Sequence, residues 1–298
     1  MGSVRVGTSG YGYLEWVGPV YPAGTAREDF MGLYSRRFRT VELNDSAYEM
    51  PTAAALAALA EKAGPKLSFA LKANESLTHR IDPRGWKAKA RAFVETLEPL
   101  REAGCLEAVL LQFPPAFGYG VDERRYLDAL ISSLGGSPQG GSPQGHLQLA
   151  VEFGDPAWYN NRVFDALRSR SVAVASVDLP ELGGLPPVID LVTAPLAYIR
   201  LHGRNAHAWW GSDSASRYDY LYTEAELRAW VQRVRGIASR AQKVLVYFNN
   251  YRSGQAAANA ETFAGLLEKA GMLAESGLCE VTPTAGPALA TAPAGSLP

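Results

Sequence analysis

The sequence predicts an α/β protein, a single (β/α)8 TIM barrel, on three observations. Eight short runs rich in Val, Ile, Leu and aromatic residues recur along the 298-residue chain, and segments of helical period separate most of them. The length also fits one barrel, which typically takes about 250 residues. An open, doubly wound sheet is the competing architecture. The chain has no G-x-G-x-x-G after its first strand and no G-x-x-x-x-G-K-[ST], although such an absence does not rule that architecture out.

The eight predicted strands follow one another at regular intervals. They begin at Val4, Thr40, Leu67, Ala108, Leu147, Val172, Leu196 and Lys243. Three of the intervening helices carry a clear apolar stripe. These stripes are Phe30, Leu33, Tyr34 and Phe38 before strand two, Leu56, Leu59, Ala60 and Ala63 before strand three, and Leu227, Trp230, Val231 and Val234 before strand eight. Thr223 and Glu226 have the spacing of a capping box at the start of the last of these.

One connection departs from the pattern. Residues 181–195, "ELGGLPPVIDLVTAP", are too rich in Gly and Pro for a regular helix. We therefore expect an irregular crossover between strands six and seven.

The barrel domain is predicted to span residues 1–281. Within it, the tandem "GGSPQGGSPQG" of residues 135–145 is predicted to be a flexible surface insertion. The segment 282–298 lacks the apolar content needed to pack and is predicted to be a disordered tail.

Composition limits the classes of partner. The formal net charge is -1 and the sequence pI is near 6.5, so no global positive field favours nucleic acid or an anionic membrane. No apolar run approaches the about 20 residues that span a bilayer. The strand-like "VRVGTSG" begins within a few residues of Met1, which leaves no room for a signal peptide. We expect a cytoplasmic protein with no membrane partner, and the sequence does not predict its oligomeric state.

Polar residues gather at the C-terminal end of nearly every predicted strand, which in a barrel is the face that carries active sites. Alternation along a strand places Glu42 with Asn44, and Arg200 with His202, on one face. Two interpretations stand side by side. These groups form either an internal network of ion pairs or a functional pocket. The pocket is favoured because the charges collect at one end of many strands.

The predicted pocket binds an anion and contains titratable groups. Lys72 and Arg200 are the anion anchors, and Glu152, Asp178 and His202 are the acid–base candidates. Lys72 is also a candidate for Schiff-base formation if neighbouring cations depress its pKa. Polar groups of the other strand ends are predicted to bind substrate: Glu42, Asn44, Gln112, Arg204, Tyr247 and Asn249.

A metal site is not assigned. His79, His202 and His207, with Glu42, Glu152 and Asp178, supply suitable ligand types. Their spacing is not diagnostic, and the chain has four histidines in all. No cofactor is predicted, and Mg²⁺ or another divalent ion is left open.

The segment from Gly203 to Tyr222, "GRNAHAWWGSDSASRYDYLY", is long for a strand-to-helix loop and rich in aromatic residues. Two interpretations are equally supported. The segment is either a hydrophobic cluster over the barrel rim, or a lid whose Trp209, Trp210 or Tyr218 stacks on a sugar or base.

Seven motifs together resemble those of the DUF72 or YecE-like family, which are TIM barrels without an assigned activity. They are "GTSGYGYLEWVGPVYP", "TVELNDSAYEMP", "FALKANESLTH", "LLQFPP", "VEFGDPAW", "YIRLHGR" and "YFNNYRSGQAAANA". The resemblance implies a barrel with a polar mouth and adds Tyr48 and His79 to the substrate-binding residues. Two positions depart from the family pattern: Tyr11 stands where Trp is usual, and Gly154 where an arginine is.

Two functions from different classes follow. The first is an enzyme that applies acid–base chemistry to a small anionic molecule, phosphorylated, carboxylated or sugar-like. The alternative is a nucleic-acid or DNA-damage-binding protein, or a phosphodiesterase, resembling endonuclease IV in architecture, with Arg200, Arg204 and Arg217 as its cationic cluster. A ligand sensor without turnover is a third and simpler option.

Overall fold

The fold is a closed barrel of eight parallel strands in sequential order. It is seen in a computed structural model that describes residues 1–135 and 147–273. The strands are β1 (Ser3–Ser9), β2 (Thr40–Leu43), β3 (Ser68–Lys72), β4 (Leu106–Phe113), β5 (Leu149–Phe153), β6 (Ala173–Asp178), β7 (Leu196–Leu201) and β8 (Lys243–Phe248). β8 pairs with β1 from Ser3↔Lys243 to Thr8↔Phe248, which closes the ring. The predicted barrel and its eight strands are confirmed.

Helices on the outside connect most of the strands. In the described part of the chain they are α1 (Phe30–Arg37), α2 (Ala53–Ala63), α3 (Trp86–Thr96), α4 (Glu98–Glu102), α5 (Val121–Ser133), α6 (Asn161–Ser169), α7 (Ser214–Arg217), α8 (Glu224–Ala238) and α9 (Gln255–Lys269). The predicted capping box is present, since Thr223 accepts from the Glu226 backbone while Glu226 accepts from that of Thr223. Within the described residues, no helix is long and apolar enough to cross a membrane, and the cytoplasmic location stays a prediction.

The connection between β6 and β7 contains no helix anywhere from Leu179 to Pro195, as its Gly and Pro content predicts. It is held to the barrel by polar contacts instead. Thr193 Oγ1 accepts from the Val174 backbone at 2.8 Å and donates to the Val172 carbonyl at 2.7 Å. Ser176 Oγ also donates to the Ile189 carbonyl.

Small side chains line one part of the inside of the barrel, and large side chains line another. The inward face of β3 to β6 is lined largely by alanine, whereas β7 and β8 contribute Tyr198 and Tyr247. These two rings lie 5.3 Å apart between centroids and are fully buried. The alanines leave the room that the tyrosines fill, so side chains of β7 reach across the barrel axis.

Two predicted segments lie outside the described residues. They are the 135–145 insertion beyond Gly135 and the tail 282–298. The domain boundary at residue 281 also falls there and stays a prediction.

Candidate functional site

Arg200 occupies the centre of the barrel mouth, which is the end of the barrel where the strands finish. It lies one residue before the end of β7 and is 3% exposed. Its Nε and Nη2 donate to the two oxygens of Glu42 on β2, at 3.1 and 2.8 Å, and its Nη1 donates to Glu152 on β5 at 2.8 Å. One guanidinium therefore links three strands across the barrel.

Glu42 has all its acceptor positions occupied. Besides Arg200, its Oε1 accepts from Ser9 Oγ at 2.6 Å and its Oε2 accepts from Tyr198 OH at 2.6 Å. Burial, with the charge of Glu42 next in importance, raises the pKa of Tyr198 well above its ordinary value, so Tyr198 stays a hydrogen-bond donor. Sequence reasoning missed Tyr198. The available signal was its position two residues before Arg200, which places both side chains on one face.

Glu152 is held as a carboxylate. Burial opposes its ionisation, but the charges of Arg200 and His202 outweigh burial and hold the pKa of Glu152 well below its usual range. The carboxylates of Glu152 and Glu42 outweigh the effect of burial on Arg200 and raise its pKa. Arg200 and Glu152 thus keep opposite charges at neutral pH.

His202 lies between Glu152 and Asn249. Asn249 Nδ2 lies 2.9 Å from His202 Nδ1, and His202 Nε2 lies 3.4 Å from Glu152 Oε1. His202 Nε2 also lies 3.4 Å from Arg200 Nη1, so the ring contacts Asn249, Glu152 and Arg200. The residues Glu42, Glu152, Arg200, His202 and Asn249 form one connected set, which we call the mouth cluster.

Lys72 ends β3 and faces the same mouth, since Ala70 two residues earlier lines the inside of the barrel. Its amine makes no hydrogen bond or salt bridge with any residue that the structure describes. Burial, followed by the charge of Arg200, lowers the pKa of Lys72 to about 8, against the opposing charges of Glu152, Glu42 and Glu75. Lys72 is therefore the available titratable group of the mouth.

Three more predicted residues surround this centre. Gln112 on β4 is in register with Glu152 and is partly exposed. Asn44 follows β2, and its buried Oδ1 has no hydrogen-bond partner among the described residues. His79 is exposed in the turn after β3. Partial burial of the ring, followed by the charge of Lys72, lowers the pKa of His79.

Tyr48 and Tyr247 lie at opposite depths. Tyr48 is on the rim and 77% exposed. Tyr247 is fully buried below the mouth cluster, where its hydroxyl lies 2.6 Å from Thr40 Oγ1. Tyr48 can meet a ligand directly, whereas Tyr247 supports the barrel beneath it.

Asp178 and Arg204 form a separate pair. Val177 lines the inside of the barrel, so Asp178, the next residue on β6, faces outward. Arg204 Nε and Nη2 donate to its two oxygens at 2.8 Å each, and Arg204 Nη1 donates to Glu226 on α8 at 3.2 Å. In residues 1–135 and 147–273, neither side chain bonds to the mouth cluster.

The aromatic segment 203–222 covers one side of the mouth. Tyr218 packs on the His202 ring at 5.8 Å and 28° between planes. Behind it, Tyr13 and Tyr251 stack at 4.6 Å and 6°. Trp209 is buried against Tyr218, whereas Trp210 is 56% exposed. The segment therefore packs the rim through Tyr218 and Trp209 and presents Trp210 to solvent.

The donors of this site do not converge as metal ligands. Within the described ranges, no group of three or more His, Cys, Asp or Glu side chains could hold a metal ion. Both Glu42 oxygens are occupied by Arg200, Ser9 and Tyr198. The acidic groups Glu42 and Glu152 are thus bonded to Arg200, whereas the amine of Lys72 has no partner among the described residues.

Comparison with known proteins gives one family over nearly the whole chain. The model of the family described as "Protein of unknown function DUF72" matches residues 5–282. The UPF0759 protein YunF of Bacillus subtilis is 27% identical over 280 residues, covering 89% of this chain and 95% of that protein.

Solved structures agree with this result. A DUF72 family protein of Thermotoga maritima, TM1631, is 34% identical with a TM-score of 0.79, covering 89% of this chain and 99% of that one. EF0366, a DUF72 family protein of Enterococcus faecalis, is 24% identical with a TM-score of 0.76, covering 89% and 95%. At that identity, the second likeness supports the fold alone. None of these descriptions gives an activity.

Proposed function

The chain belongs to the DUF72 family, and from that premise we propose that it is an enzyme that applies acid–base chemistry to a small anionic molecule at the barrel mouth. The substrate is phosphorylated, carboxylated or sugar-like. The family description names no reaction, so the proposal rests on the geometry of the mouth. One observation carries it. The amine of Lys72 faces the mouth without a partner among the described residues, whereas the neighbouring charges are bonded to each other.

The charges of the mouth explain why Lys72 is the group that contacts the substrate. Glu42 and Glu152 carry two negative charges and Arg200 one positive charge, so these three groups keep one negative charge among them. Lys72 in its cationic form brings the sum to zero. Among the described residues of the mouth, Lys72 is the cation that has no carboxylate partner, which supports an anionic ligand at Lys72.

His202 is the proton-transfer group in this proposal, and Glu152 is its carboxylate partner. Glu152 is held as a carboxylate, and His202 Nε2 lies 3.4 Å from its Oε1. A histidine placed between an amide and a carboxylate can accept or donate a proton there. Arg200 fixes the position of Glu152, and we assign it as a positioning residue.

Nucleic-acid binding has less support. The cationic cluster predicted for that function consists of Arg200, Arg204 and Arg217. Arg200 and Arg204 are each bonded to two carboxylates, and Arg217 lies over the Trp209 ring at 5.8 Å. Arg200 and Arg204 therefore have few donors left for phosphates, and Arg217 alone is not a cationic cluster.

Ligand-induced stabilisation tests the proposal. The rise in Tm is measured with inorganic phosphate, glycolate and glycerol 3-phosphate for the unaltered protein, Lys72→Met and the control Lys62→Met, whose lysine is exposed on α2. We expect at least one probe to stabilise the unaltered protein and Lys62→Met but not Lys72→Met. Equal stabilisation of all three proteins would contradict the assignment of Lys72.

A further inference from the structure

The amine of Lys72 lies at the mouth without a partner among the described residues. Resting on the proposed function, we propose that Lys72 forms a Schiff base, and that the substrate of this site is therefore a small aldehyde or ketone.

A structural lysine has a carboxylate within reach. Lys243 at the opposite end of the barrel is such a residue, because it is paired with Glu107. Two carboxylates also share the mouth with Lys72, yet neither pairs with it. Glu42 accepts two bonds from Arg200, one from Ser9 and one from Tyr198. Arg200 thus takes the carboxylates that would otherwise hold Lys72 as a paired cation.

The amine also lies within reach of the charge of Arg200. Arg200 on β7 disfavours its protonated form, and burial does so more strongly, whereas Glu152, Glu42 and Glu75 favour it. With the pKa of Lys72 at about 8, roughly one amine in ten is unprotonated at pH 7, compared with fewer than one in a thousand for an exposed lysine. A neutral amine is the form that attacks carbonyl carbon.

The reaction balances without an oxidant or a reductant. The lone pair of Lys72 Nζ attacks the carbonyl carbon, and the carbonyl oxygen takes up a proton to give a carbinolamine. The hydroxyl then leaves as water with a second proton, and the C=N bond forms. Two protons leave the nitrogen and two appear on the water. Protonated, the imine draws electrons from the adjacent carbon and makes a proton on that carbon more acidic.

Reductive trapping tests this inference. The protein is treated with glycolaldehyde, a neutral probe, or glyoxylate, an anionic one, in the presence of sodium cyanoborohydride at pH 7. Hydride reduces the imine to a secondary amine, and peptide mass mapping gives the labelling rate of each of the seven lysines. We expect Lys72 to be labelled at least about tenfold faster than exposed Lys62 by at least one probe. Faster labelling by glyoxylate assigns an anionic carbonyl compound, and faster labelling by glycolaldehyde a neutral one.

Labelling of Lys72 no faster than that of Lys62 by both probes would overturn the Schiff base. The variant Lys72→Arg separates this failure from that of the proposed function, since it keeps the charge and has no primary amine. If Lys72 is not labelled but the unaltered protein and Lys72→Arg are both stabilised by glycolate or inorganic phosphate, the imine is wrong and anion binding stands. If Lys72 is not labelled and no probe stabilises either protein, the proposed function falls as well.

Discussion

Arg200 and Glu42 are joined by two hydrogen bonds inside the barrel, Nη2 to Oε1 at 2.8 Å and Nε to Oε2 at 3.1 Å. Both side chains are at most 3% exposed. This pair binds one cation and one carboxylate of the mouth to each other. The amine of Lys72 therefore has no partner among the described residues.

Removing one partner of this pair should destabilise the protein strongly. Arg200→Ala leaves Glu42 and Glu152 buried without their counter-ion, which costs about 3–5 kcal/mol of unfolding free energy. Urea denaturation measures the loss. The matched control is Arg125→Ala, which breaks the exposed pair with Asp122 and should change stability by less than about 0.5 kcal/mol. An effect of Arg200→Ala as small as that of the control would contradict the ion-pair network.

Lys72 should make the free energy of unfolding depend on pH. Its folded-state pKa of about 8 lies below the unfolded value near 10.5, so between these values the unfolded chain binds more protons. Stability should therefore rise with pH from about 8 to 10.5, by up to about 3 kcal/mol. Lys72→Met should lack this rise, whereas Lys62→Met should keep it. Urea denaturation at pH 7.5 and pH 10 measures it, and parallel curves for Lys72→Met and the unaltered protein would refute the lowered pKa.

The pair of Asp178 and Arg204 should stabilise the aromatic segment 203–222 and should not affect the mouth cluster. Asp178→Asn removes the charge that Arg204 contacts through two bonds, and we expect a loss of about 2 kcal/mol, because Arg204 is itself 35% exposed. The pH midpoint at which trace acetic anhydride labels the amine of Lys72 should stay unchanged. A shift of that midpoint would bring Asp178 back among the groups that act on the mouth.

Binding of damaged DNA should be absent. A fluorescent duplex with an abasic site, titrated at about 50 mM salt, should show no saturable binding, because Arg200 and Arg204 are engaged by carboxylates. Saturable binding that weakens steeply with added salt would instead favour the nucleic-acid function.

The barrel could be predicted because its signals are local. Eight apolar runs, the capping box at Thr223 and the Gly and Pro residues of 181–195 each specify their own segment. The shared face of Arg200 and His202 followed from alternation along a single strand. The pairing of Arg200 with Glu42 joins residues 158 positions apart and depends on how the strands close, which no local pattern contains.

Asp178 illustrates the limit of such patterns. The strand "AVASVD" is apolar or small at its first five positions and buried throughout, so its sequence gives no alternation from which to read the inward face. Asp178 was grouped with the strand-end residues because of its position in the chain. The barrel places Val177 inside and Asp178 outside, one residue out of phase with the mouth.

The central claim is that Lys72 carries an unpaired amine of lowered pKa at the mouth. Competitive labelling with trace acetic anhydride from pH 6 to 11, resolved by peptide mass mapping, measures the titration of each lysine directly. We predict a midpoint for Lys72 of about 8, well below the value of about 10.4 for an unperturbed lysine amine. A Lys72 midpoint equal to that of Lys62 would contradict it.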